Sequence, residues 1–94
     1  MSPKQAIELG LGSIGKIKIL KALAEENKMS TIYLLHKKTG SKRDDIKSNL
    51  DDLVKIGWVR EMKYASALYG LDLENEYVAR LIQFFKDVGY MGQP

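Results

Sequence analysis

The stretch Thr39–Val59, TGSKRDDIKSNLDDLVKIGWV, decides the fold. Gly40 supplies a turn and Ser41 is placed to cap the helix that follows. Ile46, Leu50, Leu53 and Val54 then recur at the i, i+4, i+7, i+8 spacing of one buried stripe. They predict a helix from Lys42 to about Ile56, stopped by Gly57. Its opening carries two cations, Lys42 and Arg43, followed at once by two carboxylates, Asp44 and Asp45. Carboxylates in a first turn meet the positive end of the helix dipole, worth about 0.3–1 kcal/mol each, and Ser41 with Asp44 is close to a capping box. The acidic pair therefore needs no function. The cations are mildly unfavourable at that place, so stability does not explain them.

Upstream, Ser2-Pro3-Lys4-Gln5 reads as a capping box opening a short helix to about Leu9, broken by Gly10-Leu11-Gly12. Ser13 caps a second helix running to about Asn27, with Ile17, Leu20, Leu23 and Ala24 on one face and Lys18, Lys21 and Glu25 opposite. Ser30 or Thr31 caps a third, anchored by Ile32 and Leu35 and ending near Thr39. Downstream, Trp58–Tyr64 and Leu68–Leu71 read as two short strands around Ala65-Ser66-Ala67. Asp72 is expected to cap a last helix over about 73–88, Gly89 to end it, and the tail Tyr90–Pro94 to fray. The order predicts a mainly α fold with a small β-hairpin wing, a winged helix-turn-helix. The helix-turn-helix falls at about 30–56 and the wing at about 58–71, in one domain covering 1–94.

Composition narrows the chemistry. With 94 residues, 45% hydrophobic and 29% charged, the chain has the make-up of a globular domain. It has no cysteine, which excludes disulfides and thiolate metal sites and fits a reducing, cytoplasmic setting. The N-terminus has no signal-peptide pattern, and no apolar run nears the ~18 residues of a bilayer span. Residues 1–43 hold nine Lys and Arg against three Glu, net +6, whereas residues 44–94 hold six against nine acids, net −3. That asymmetry favours an oriented partner such as nucleic acid. GLGSIG (residues 10–15) lacks the strand–helix setting and acidic partner of a dinucleotide loop, and His36 alone is no metal site. No catalytic, metal or cofactor site is expected, and the chain reads as a non-enzyme.

At these residues the chain resembles winged helix-turn-helix transcription regulators of the MarR/ArsR kind, especially small archaeal ones. Gly40, Ser41, Ile46, Leu50, Leu53, Gly57 and Val59 fill the family's turn, cap, stripe and exit positions without a gap. Tyr69-Gly70-Leu71-Asp72 is similar to the step from wing to last helix, and GKIKILKALAE (residues 15–25) to the first family helix. The resemblance implies a dimeric double-stranded DNA binder. His36 stands where the family usually has a small residue, and Asp51 and Asp52 stand where relatives carry basic or neutral side chains.

With Ile46 at the centre of the stripe, 100° per residue turns Asp44, Lys47, Ser48, Asp51 and Lys55 outward. In a recognition helix the N-terminal turn enters the major groove. Arg43 can fork onto guanine, Lys42 can hold phosphate, and Asp44 can accept from cytosine. Lys47 and Ser48 are the next candidates, and Asn49 lies on the flank. Asp51 and Asp52 would repel phosphates, so only the N-terminal half of the helix is expected to go in. Lys37, Lys38 and Ser41 precede or form the turn. Arg60, Lys63 and Tyr64 lie on or near the wing, which in this family reaches flanking backbone. Lys16, Lys18, Lys21 and Lys28 read as general field on a solvated face. Tyr77, Leu81, Phe84, Phe85 and Val88 exceed one core-facing stripe and are candidates for a two-fold dimer interface, with Ile7, Leu9 and Leu11 as possible additions. Two other readings stay open: a protein-interaction module using Trp58, the wing or the last helix, and a non-specific architectural nucleic-acid binder. The sequence specifies no effector ligand.

Overall fold

Local capping chemistry sets most of the element boundaries. The computed structural model describes residues 2–92. Over that span the elements are α1 (Pro3–Gly10), α2 (Ile14–Glu26), α3 (Ile32–Thr39), α4 (Arg43–Lys55), β1 (Val59–Lys63), β2 (Ala67–Leu71) and α5 (Glu76–Asp87). The Ser2–Gln5 capping box forms as expected. Ser13 accepts from the Lys16 amide, and Thr31, rather than Ser30, accepts from Leu34. Asn27 and Gly40 end α2 and α3 in the left-handed conformation, at φ 53° and 75°.

Two caps differ from expectation. Lys42, not Ser41, is the N-cap of α4, and no side chain caps it. Ser41 is drawn into the preceding turn instead, where its amide donates to Thr39 Oγ1 and its carbonyl accepts from His36. Asp72 does not cap the last helix. Its carboxylate accepts from the Glu74 amide in a turn, and Asn75 takes the capping role, accepting from Tyr77 and Val78. The helix is correspondingly shorter, Glu76–Asp87 rather than 73–88. The tail is also more ordered than expected. Tyr90 meets Phe85 edge-on at 4.9 Å and Met91 is buried, while Gln93 and Pro94 lie outside the described residues.

The core gathers around α4. Ile46, Leu50 and Leu53 are each 0% exposed and pack with Leu35 of α3 and with α2. The inward side of α2 is Ile19, Leu20, Ala22 and Leu23, while Ile17 and Ala24 only flank it. The stripe expected from Ile17 was therefore rotated, because the true register follows Ile19. Lys16 is buried too, and is no part of a general field. Its ammonium donates to the Leu9 carbonyl at 2.8 Å and pairs with Asp52 at 2.9 Å. One side chain thereby satisfies a helix-end carbonyl of α1 and ties the α1–α2 junction to α4.

The wing is a two-stranded antiparallel hairpin, Val59 opposite Leu71 through Lys63 opposite Ala67. Its loop is Tyr64-Ala65-Ser66, one residue earlier than read from the sequence. Ser30 and Tyr69 exchange both backbone hydrogen bonds at 2.7 Å, so the wing is fastened to the residue just before the Thr31 cap of α3. Trp58, at the root of the wing, is 1% exposed and stacks on Tyr77.

Gly10 lies against the Trp58 indole so closely that a Cβ there would sit 2.4 Å from the ring. Gly10→Ala should therefore destabilise the fold by ~1–3 kcal/mol in urea unfolding, as overpacked sites do. A cost near zero would mean that the α1–Trp58 contact is not tight.

Candidate nucleic-acid interface

The residues expected to touch DNA lie in three places. The first is the turn into α4. His36 Nδ1 lies 2.7 Å from the Ser41 carbonyl, and because a carbonyl only accepts, that nitrogen carries the proton. The imidazole is half-buried and laces the end of α3 to the turn, which is how the fold accommodates a large residue at the helix crossing. Ser41, Lys42, Ser48 and Asn49 line one shallow cleft of about 460 Å³, which Ser13 and Gly15 of the α2 N-terminus close from the other side. Asn49 leans onto Gly15, where a Cβ would come within 2.6 Å of its amide nitrogen. The sequence reading missed Ser13 and Gly15 here; their proximity depends on how α2 crosses α4.

The second place is an aromatic-cationic cluster on the exposed surface of α3 and α4. The Arg43 guanidinium carbon lies 5.2 Å, and the Lys37 ammonium 5.5 Å, from the centroid of the Tyr33 ring. Tyr33 is half exposed. Cation–π contacts at such sites contribute roughly 0.5–1 kcal/mol each. Tyr33 was not singled out from the sequence. Tyr33 and Lys37, four residues apart on one helix, carry part of that signal, but the approach of Arg43 needs the turn geometry.

The third place is the seam between α4 and the wing. Asp44, Lys47, Ser48, Asp51 and Lys55 are all exposed, as the helical periodicity required. Lys47 and Asp51, one turn apart, make a salt bridge at 2.5 Å. That hydrogen bond raises the Lys47 pKa above its ordinary value, with smaller contributions from the fields of Tyr69 and Glu61. The Tyr69 hydroxyl donates to Glu61, its cross-strand partner, at 3.1 Å. Burial first, and this hydrogen bond second, push the Tyr69 phenol up as well. Strand alternation puts Lys63 on the same sheet face as Glu61 and Tyr69 and puts Arg60, opposite Gly70, on the other face. Tyr64 is at the wing tip and is strongly exposed.

The predicted set is thus only partly brought together. Lys37, Ser41, Lys42, Arg43, Asp44, Ser48, Asn49 and Lys63 fall on or beside the exposed side of the helix-turn-helix. Lys38 turns instead to Glu26 at 3.1 Å and Glu25 at 3.6 Å. Asp51 and Asp52, expected to repel phosphate, are each held by a lysine.

On the remaining helix, Tyr77, Leu81, Phe84 and Val88 form one ridge at i, i+4, i+7, i+11 spacing. Phe84 and Val88 are more than half exposed, Tyr77 and Leu81 are half-buried, and Phe85 points into the core. A separate groove of about 560 Å³ runs between the end of α2, β2 and α5, with Leu23, Met29, Leu71, Ile82 and Met91 among its walls. Among the described residues, no group of three or more His, Cys, Asp or Glu is placed to hold a metal ion. No helix over that span is long and apolar enough to cross a membrane.

No family model and no curated protein matches the chain. Solved structures do. A homodimeric winged helix-turn-helix DNA-binding domain from Mycobacterium bovis, a possible ArsR-family transcriptional regulator, superposes with a TM-score of 0.72. It is 22% identical, over 93% of this chain and 78% of that one. A possible HxlR-family transcriptional factor from Thermoplasma volcanium gives a TM-score of 0.74 at 14% identity, over 96% and 81%. A cadmium sensor from Mycobacterium tuberculosis gives 0.66 at 20%, over 96% and 94%. The chain has the winged helix-turn-helix fold that these proteins share.

The Lys47–Asp51–Glu61–Tyr69 seam predicts an alkaline transition. Both raised groups, Lys47 and Tyr69, release their protons more readily in the unfolded chain, so the stability they supply is present below the unfolded pKa and is lost as pH rises through the folded one. Urea unfolding should therefore show stability falling as pH rises above about 10, where unfolded tyrosine and lysine lose their protons, with a shallower fall in Tyr69→Phe. Parallel pH profiles for the two proteins would contradict the burial of the phenol.

Proposed function

We propose that this chain is a sequence-specific double-stranded DNA binder acting as a homodimeric transcription regulator, with no enzymatic activity and no cofactor. One observation carries the reading. The N-terminal turn of α4 presents Lys42 and Arg43 on the surface, where they weaken the helix dipole, and Arg43 is braced by Tyr33 rather than spent on a carboxylate. In a winged helix-turn-helix that turn is the part that meets base edges and phosphates. On this reading Arg43 forks onto guanine. Lys37, Ser41, Lys42, Ser48 and Asn49 hold backbone or neighbouring bases, and Lys63 and Tyr64 reach the flanking strand. Lys47 takes part only when it leaves Asp51. Lys38 and Arg60 are peripheral. The fold shared with transcription regulators, one of them a homodimer, supports the same reading.

The Tyr77–Leu81–Phe84–Val88 ridge, with Phe84 and Val88 more than half exposed, supports a homodimer. Two copies meeting there about a two-fold axis would set two α4 helices roughly one DNA turn apart on a near-palindromic site. The competing protein-interaction reading would use Trp58, the wing or the last helix, and the acidic residues Asp51 and Asp52 of α4 are its best support in the sequence. Trp58 is buried, and Asp51 and Asp52 are ion-paired, so the DNA reading is favoured.

Selection from random duplexes, at low and at near-physiological salt, tests the proposal. Enrichment of a near-palindrome that survives the higher salt is expected. Sequence-blind binding that collapses with salt would leave only an architectural role, and no binding at all would refute both. On the selected site, Arg43→Ala should weaken binding by ~1–3 kcal/mol and relax preference at one base pair. Asp51→Asn should tighten binding and steepen its salt dependence, because it releases Lys47 and removes a charge that phosphate opposes. Phe84→Glu with Val88→Glu should give a folded monomer in sedimentation, whereas a persisting dimer would move the interface off α5.

A further inference from the structure

The Tyr33 ring lies beside the N-terminal turn of α4, and Arg43 and Lys37, its two cationic neighbours among the described residues, both come from the set expected at DNA. We propose that Tyr33 is a positioning residue that aims Arg43 at its base. The inference rests on the DNA-binding reading above and adds to it the group that fixes which way the arginine points.

Cations of this protein are held in two ways. Lys16, Lys38, Lys47 and Arg80 each lie against a carboxylate, which occupies their donors and cancels their charge. Lys21 has both kinds of neighbour, Glu25 at 3.9 Å and the Tyr90 ring at 4.9 Å, whereas Arg43 and Lys37 lie over the Tyr33 face. A ring attracts a guanidinium through its negative face and takes none of its N–H donors. The in-plane fork that matches guanine O6 and N7 is therefore restrained and still available. Arg43 is the first residue of α4 and its long side chain is exposed, so without the ring it would lose more rotamer freedom on binding. Tyr33 is fixed by α3, and α3 is fixed to the turn by the His36–Ser41 hydrogen bond, so the ring is rigidly placed relative to α4. The ring is half exposed. The phenol is not required by this role; the ring face is.

The test is a double-mutant cycle on the DNA selected by the wild type, combined with an NMR measurement on the free protein. Tyr33→Leu should weaken binding about 3- to 5-fold, and Tyr33→Phe should leave it within about 2-fold. Tyr33→Leu should relax preference at the same base pair as Arg43→Ala, and its effect should be much smaller in the Arg43→Ala background, where only Lys37 still uses the ring. In the free protein, the Arg43 Nε–H resonance should carry a ring-current shift that Tyr33→Phe keeps and Tyr33→Leu abolishes. An equal loss in Tyr33→Phe and Tyr33→Leu would assign the effect to a direct hydroxyl contact and overturn the proposal. So would an unreduced effect of Tyr33→Leu in the Arg43→Ala background, or an Arg43 resonance insensitive to Tyr33. If the wild type selects no DNA, the DNA-binding reading fails and the aiming role with it. A normal Arg43 ring-current shift would then show that the contact forms but serves another purpose.

Discussion

Ile46, Leu50 and Leu53 have no exposed surface, and the orientation of every other feature follows from them. Burying one stripe of a helix determines its opposite side, because the angular period leaves no freedom once the inward residues are chosen. Deleting any of these side chains would leave a cavity in the small core, at a cost of roughly 2–5 kcal/mol. The stripe therefore fixes Asp44, Lys47, Ser48 and Asp51 outward, and it holds the N-terminal turn of α4 at the surface beside α3. The wing is tied into the same frame from two sides, by Trp58 in the core and by the Ser30–Tyr69 backbone pair.

Within that frame, charge is sorted by partner. Along α4 the C-terminal carboxylates are neutralised: Asp52 by a buried lysine from α2, Asp51 by Lys47 one turn away. The exposed pair is worth little as a stabilising contact, since screened i,i+4 pairs contribute only ~0.3–0.5 kcal/mol. Its consequence is electrostatic, because it removes both a local cation and a local anion from the middle of the helix. The N-terminal turn is treated in the opposite way, with its arginine held by an aromatic ring and its carboxylates set against the helix dipole. On the proposed reading, this contrast confines contact with DNA to one end of α4.

The main features of the fold were legible because they rest on local chemistry. The α4 stripe, the Gly40 turn, the Ser13 and Thr31 caps and the hairpin all follow from spacing and residue type. The misreadings have a common cause. Ser41 and Asp72 are good caps in isolation, yet each is captured by a competing turn, and Lys42 and Asn75 begin the helices instead. Lys16 looked solvated because lysine usually is; its burial depends on a carboxylate more than thirty positions away meeting an unsatisfied carbonyl. The site was legible as a set of cations on a predictable surface. What could not be read was which of them are already engaged, since Lys38 with Glu26, and Arg43 with Tyr33, are contacts made only by the packed helices.

On the proposed reading, the N-terminal end of α4, with the adjoining part of α3, meets duplex DNA while the C-terminal half of α4 stays clear. Amide NMR titration with the selected duplex distinguishes the two ends. Large changes are expected at Tyr33, Lys37, Lys42, Arg43 and Ser48, with weaker ones at Lys63 and Tyr64, and little change from Asp52 to Ile56. Changes centred on α5, or spread along the whole outward face of α4, would contradict it.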